Sequence, residues 1–430
     1  MSTLGTTGTL GTEGTLGTEG TPSTLGTPGT EGTLGTLGLL YHMPFWRGVD
    51  GSLWEAEGSF ARYVDSLAPY FDEIVLSVPV FDTPQAAGSR VRAGNVRLAP
   101  LPYFPGPRQF YPMLRTMRAR LRSWVAECDV IHLRVPTPAA IFAFRLARAR
   151  AVPVFLLVVG DYRALLPHLP YRGLKKALFS VYVAFEEWAL RYMTTRAVTF
   201  ANGAALAEKH RAGGATVHET KTTTLTEADI ASRADTCGSS RVRLLTVSRI
   251  DPRKGLRVLP AVVAALVAQG LDASVDIVGP PIGRLGEEER EAIVAEASRL
   301  GVAARVSLPG PVPLDALLPL YRDYDVFVLP TGPGEGIPRV LLEAMAGGLP
   351  IVTTGVAGIT SLVRDGENGV LVADASAETI APAVERLVGT PALRQALIAG
   401  GYATARAHTL DRQAAEMMRV LRAELLRTKN

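Results

Sequence analysis

Two cysteines in 430 residues, Cys128 and Cys237, exclude a disulfide framework and a cysteine-rich zinc site. No apolar run is longer than residues 151–159, far short of the ~20 residues that cross a bilayer. The opening residues lack the basic start, apolar stretch and small-residue cleavage site of a secretory leader, so no signal peptide is expected. No Gly-x-Gly-x-x-Gly follows a strand-like segment, which disfavours a nicotinamide dehydrogenase, and no nucleic-acid-binding module is recognisable. What remains is a protein of a reducing compartment, expected in the cytoplasm.

The chain is 47% hydrophobic, 20% charged and rich in glycine, with 42 residues. At ~150 residues per domain its length suggests two or three domains. Its net charge of +4 is unevenly spread. Residues 1–38 carry three glutamates and no cation; 39–238 hold 24 basic and 17 acidic residues; 239–430 hold 21 of each. The positive excess of the first half calls for an anionic partner or none at all.

Residues 5–38 repeat Gly-Thr-X, broken once at Ser23. Proline occurs there only at 22 and 28, too rarely for a collagen helix, and there is little side chain to bury. Residues 1–38 therefore read as a disordered tail. Beyond them, short apolar runs alternate with amphipathic stretches. Strands are expected at 39–45, 73–80, 129–135, 152–159 and 197–201, with helices at 54–68, 111–126, 139–149 and 179–193. A second series begins near 239, with strands at 242–247, 274–278, 305–308, 326–329, 351–353 and 370–372. Strands alternating with longer helices mean parallel sheets with right-handed crossovers. The expected architecture is α/β, with two doubly wound Rossmann-like domains, 39–238 and 239–405, facing a central cleft. Residues 406–430 are a last helix expected to cross back to the first domain. Ligands of such sheets bind where strands end and helices begin.

Two segments stand at such places. Ser248-Arg249-Ile250-Asp251-Pro252-Arg253-Lys254-Gly255 follows the 242–247 strand. Its cations fit either a phosphate site at a helix start or a solvated basic turn. Gly334-Glu335-Gly336-Ile337-Pro338 follows the 326–329 strand and opens a helix containing Glu343. Pro338 suits a first helical turn, and Gly334 and Gly336 permit close backbone approach. Carboxylates nearby suit sugar hydroxyls, although Glu343 also reads as an ordinary helical surface residue.

Together, Arg249-x4-Lys254-Gly255 and Glu335-x7-Glu343-Ala-Met-Ala-x-Gly-x-Pro resemble the retaining glycosyltransferases of family four, with 240–375 carrying the resemblance most firmly. That resemblance implies a GT-B fold. It implies a nucleotide diphosphate sugar donor, a glycan or lipid-linked acceptor, and a place in cell-surface polysaccharide or glycolipid synthesis. Arg249 and Lys254 would neutralise the departing diphosphate, with Glu335 at the donor sugar and Glu343 at the ribose. Gly336, Ile337 and Pro338 would line the donor, and backbone near Gly310 and Val312 would hold the base. No metal or other cofactor is implied.

The first half departs from the family pattern. The position where many members carry a histidine reads Gly160-Asp161, and Asp161 would either contact the donor sugar or cap the next helix. The glycine loop after the first strand is represented only by Arg47–Ser52, where Gly51 admits a phosphate at a helix start or makes a plain turn. Arg115, Arg118, Arg120 and Arg122 follow Tyr103, Phe104, Phe110 and Tyr111; Arg172, Lys175 and Lys176 precede Phe179. Cations beside aromatics fit peripheral docking on an anionic inner leaflet, or simply solvated helix faces. An epimerase on the same scaffold and a non-catalytic nucleotide-sugar binder are the competing readings.

Overall fold

The computed structural model describes residues 32–55, 59–82, 88–166, 173–230, 232–237, 241–332 and 338–429. Two wholly parallel sheets dominate. The first comprises β1 (Thr36–Leu40), β2 (Glu73–Ser77), β3 (Val96–Leu98), β4 (Val130–Val135), β5 (Val154–Val158), β6 (Val198–Asn202) and β7 (Val217–Thr220), ordered 7-6-5-4-1-2-3. The second comprises β8 (Arg241–Val247), β9 (Asp272–Val278), β10 (Val306–Gly310), β11 (Val326–Leu329), β12 (Ile351–Thr354) and β13 (Val370–Val372), ordered 10-9-8-11-12-13. In both, the chain runs outward in one direction, returns to the first strand and runs outward in the other. That is doubly wound topology.

Burial on both faces explains the continuous apolar strands, for a parallel sheet is covered by its crossover helices. Val326, Phe327, Val328 and Leu329 are all buried, as are all four residues of β12. The last helix, Leu410–Lys429, places Leu410, Ala414, Met417, Met418 and Leu421 in the core of the first domain, beside Phe60 and Tyr63.

Three sequence expectations need correction. Residues 1–31 of the expected tail lie outside the described residues, but Thr36–Gly38 belong to β1, the inner strand of the first sheet. The repeat suits that role: Leu37 is fully buried, and a side chain at Gly38 would strike the Cys128 Sγ at 2.5 Å and the Trp124 ring at 2.8 Å. The helix expected over 54–68 starts at Ser59, because Phe45–Arg47 and Leu53–Glu55 form an antiparallel hairpin. The buried Glu55 carboxylate accepts the Phe60 N–H at 3.1 Å, as an acid at a helix start should. Phe104 and Phe110 are core residues, not part of a surface with the neighbouring arginines.

Candidate functional site

Strand order in the second sheet reverses between β8 and β11, so a crevice opens where their following loops diverge. The first of those loops is the 248–255 segment singled out in the sequence, and the residues just beyond β11 pack against it. The Gly332 N–H donates to the Arg253 carbonyl at 2.9 Å. Gly255 has φ +66°, and a Cβ there would lie 2.0 Å from the Pro330 carbonyl oxygen. Glycine is thus required twice over, by the left-handed backbone and by the close approach. Gly255→Ala is expected to cost about 1–3 kcal/mol from strain alone, read as a lowered melting temperature together with weaker nucleotide binding.

Within the first loop the charges divide. Asp251 accepts the Arg253 N–H at 3.0 Å and pairs with its guanidinium at 2.7 Å, closing the turn Pro252–Lys254. That pairing, aided by the Arg249 charge, holds the Asp251 carboxyl down at about 2. Arg253 is therefore committed to its own loop. Arg249 is exposed and has no ion-pair partner among the described residues; Lys254 is half-buried at the end of the turn.

The neighbouring strand ends are stitched to this loop. The Gly279 N–H donates to the Gly310 carbonyl at 3.0 Å, and the Ser248 N–H to the Val278 carbonyl at 2.9 Å. A Cβ on Gly279, at φ +144°, would sit 2.0 Å from the Ser248 carbonyl oxygen. Arg249, Lys254, Gly310, Val312 and Pro338 consequently share one carboxyl edge of the sheet. Pro338 immediately precedes the helix Arg339–Ala346, whose first N–H groups are free of intrahelical partners. Glu335, Gly336 and Ile337 lie outside the described residues.

Glu343, expected at the ribose, is buried against its own domain. Its side chain faces inward, 4% exposed, and both oxygens are engaged. One accepts the Thr224 hydroxyl at 2.7 Å, the other the Tyr321 hydroxyl at 2.9 Å. Burial, with the Glu343 charge beside it, pushes the Tyr321 phenol far above its usual range, so it stays a donor. Glu343 ties its helix to the segment crossing between the domains. Neither partner was legible in the sequence, because Thr224 and Tyr321 are brought to it only by packing.

Asp161 and Gly51 resolve toward their plainer readings. Asp161 accepts the Arg163 N–H at 2.9 Å and pairs with Lys209 at 3.0 Å, capping the turn after β5. Gly51, φ +79°, is at the tip of the Phe45–Glu55 hairpin, not at a helix start. The one Asp-x-Asp, Asp323-Tyr324-Asp325, stands at the amino end of β11, opposite the loops, where Asp325 is buried and accepts the Arg243 N–H at 2.7 Å.

Residues 241–390 match the model of the family described as glycosyl transferases group 1. The D-inositol 3-phosphate glycosyltransferase of Rhodococcus opacus (strain B4) is 38% identical over 155 residues, 36% of this chain and 34% of that one. The chain thus spans about a third of the length of the curated relatives it matches. Among solved structures, the Anabaena protein HepE in complex with UDP superimposes with a TM-score of 0.62 at 15% identity, over 90% of this chain and 99% of that one. Sucrose-phosphate synthase from Thermosynechococcus elongatus gives 0.63 at 16% identity, over 91% and 99%. At such identities the likeness establishes the fold. The chain therefore has the GT-B fold, and its second domain is similar to those of group 1 glycosyl transferases.

Proposed function

We propose that the protein is a retaining glycosyltransferase that moves a hexose from a nucleotide diphosphate sugar to a glycan or lipid-linked acceptor. One observation carries the reading: Gly332, just beyond β11, is bonded to the 248–255 loop that bears Arg249 and Lys254, at the switch point of the second sheet. Cations there, with the backbone N–H groups of the following helix start, would suit a diphosphate, whose charge grows as the sugar–oxygen bond breaks. Charge neutralisation is assigned to these side chains and not to a metal. Gly310 and Val312, at the carboxyl end of β10, are assigned to the base, and Glu335 with Gly336, Ile337 and Pro338 to the donor. Retention rests on the motif order shared with family four.

The first domain supports a membrane-facing role in polysaccharide or glycolipid synthesis. Along the helix Gly173–Thr194, Leu174, Leu178, Val181, Phe185 and Trp188 form a single exposed stripe at alternating four- and three-residue spacing. Exposed Lys175 and Lys176 flank it, and Arg115, Arg118, Arg120 and Arg122 are exposed on the helix Leu114–Ala126. Apolar side chains bordered by cations match the boundary of an anionic leaflet. No described helix is long and apolar enough to cross a membrane.

The test offers UDP-, GDP- and ADP-sugars to the full chain. One of them should raise the melting temperature, as a ligand of the native state must. That sugar should also be transferred or slowly hydrolysed, with EDTA present. Interconversion of the free donor without acceptor would point to the epimerase, and binding without turnover to a vestigial site. No stabilisation by any of them would overturn the proposal.

A further inference from the structure

We propose that the first domain carries an anion-binding subsite at the carboxyl ends of β1 and β4, built on Arg134, His42 and Thr137, and that it receives a phosphate borne by the acceptor. The first sheet reverses its strand order between β1 and β4, so this is its own switch point, the counterpart of the crevice in the second sheet. Arg134 is the penultimate residue of β4; His42 and Thr137 stand two residues beyond β1 and β4.

Three polar groups there are buried without partners. The Arg134 Nε, the His42 Nδ1 and the Thr137 Oγ1 make no hydrogen bond, and Thr137 is 3% exposed. Native interiors pair such groups almost without exception, so each unpaired one needs an explanation. The arginine is the most telling. No carboxylate among the described residues pairs with it. Its guanidinium is held instead against the rings of Tyr41, Phe60 and Tyr63 at 5.0, 5.3 and 5.4 Å. Ring faces orient a cation and leave its N–H edge available to an anion. His42 and Arg134 lie near enough to interact: burial, then the Arg134 charge, lowers the imidazole to about 4. A neutral ring still offers one N–H donor to an oxyanion held by the guanidinium. Three donor groups, one of them a guanidinium, suit the three terminal oxygens and higher charge of a phosphate monoester.

Only the word acceptor rests on the glycosyltransferase reading; the subsite is tested by binding alone. The full chain is titrated with inorganic phosphate, with glucose 6-phosphate, and with vesicles of phosphatidylcholine with or without phosphatidylinositol. Arg134→Gln should weaken the phosphate ligands about tenfold or more, the cost of a lost charge-assisted contact. Stabilisation by UDP should persist in that variant, reporting an intact second domain. Preference for glucose 6-phosphate identifies a soluble acceptor, and preference for phosphatidylinositol vesicles a lipid headgroup. Should Arg134→Gln fail to fold, the unaltered protein is treated with phenylglyoxal and mapped by mass spectrometry. Phosphate should then protect Arg134 from modification. Equal phosphate affinity in protein and variant, or Arg134 modified equally with and without phosphate, would overturn the subsite. Absence of any nucleotide-sugar binding would overturn the glycosyltransferase reading and leave the subsite standing.

Discussion

Alanine at Arg249 is expected to lower sugar transfer about 10²–10³-fold, the usual loss when one preorganised donor to a developing negative charge is removed. Lys254→Ala should do the same. In Arg249→Ala the melting temperature should stay within about 2 °C of the parent, because substitutions away from buried networks cost little. Arg249 is exposed and makes no ion pair among the described residues, so the fold depends little on its charge. Arg253 shows the contrast. It is locked to Asp251 within one turn, and its removal should disturb the loop before it disturbs the chemistry. The loss should appear mainly in kcat, since a diphosphate leaving group is more negative in the transition state than in the bound donor. Arg249→Lys should recover part of the rate, keeping the charge and losing the planar fork. Steady-state rates within twofold of the parent for both alanine variants would remove these two cations from the reaction.

Alanine at Glu343 should behave in the opposite way, as a folding defect. The substitution strands the hydroxyls of Tyr321, fully buried, and Thr224, 3% exposed, and leaves a void behind them. Two hydrogen bonds to a charged acceptor together with a cavity amount to about 3–5 kcal/mol. For a domain of this size that lowers the melting temperature by roughly 10 °C. Glu343→Gln keeps an oxygen for Tyr321, and its amide can donate to the Thr224 hydroxyl, so about 1–2 kcal/mol is expected. Thermal melts of the two variants, followed by UDP titration of the glutamine form, separate the roles. An unchanged melt for Glu343→Ala with weakened UDP binding would return this carboxylate to the ribose.

These contrasting outcomes mark where local reading succeeds. The parallel sheets were legible because strands buried on both faces are written as unbroken apolar runs, such as Val326–Leu329, between amphipathic stretches. The 248–255 turn was legible because a capping aspartate, a proline and a glycine follow a strand. The partners of Glu343 were not legible for a physical reason: a helical glutamate beside glycines looks alike whether it faces solvent or its own core. Gly51 and Asp161 were ambiguous for a similar reason, since a turn and a cap use the residues a ligand loop would use. Thr36–Gly38 looked like tail because a repeat that is featureless alone acquires a role only when Trp124 and Cys128 demand the absence of a side chain.

Composition and periodicity by themselves determined the two-domain α/β class, the alternation of elements and the loops that carry charge, since each depends on neighbours within a few residues. Only the tertiary structure decided that Gly332 reaches Arg253, that Glu343 turns inward to Tyr321, and that Arg134 is left among three rings without an acid. Those outcomes depend on which distant segments share a sheet edge. Side-chain direction and pairing are properties of packing, and no local pattern encodes them.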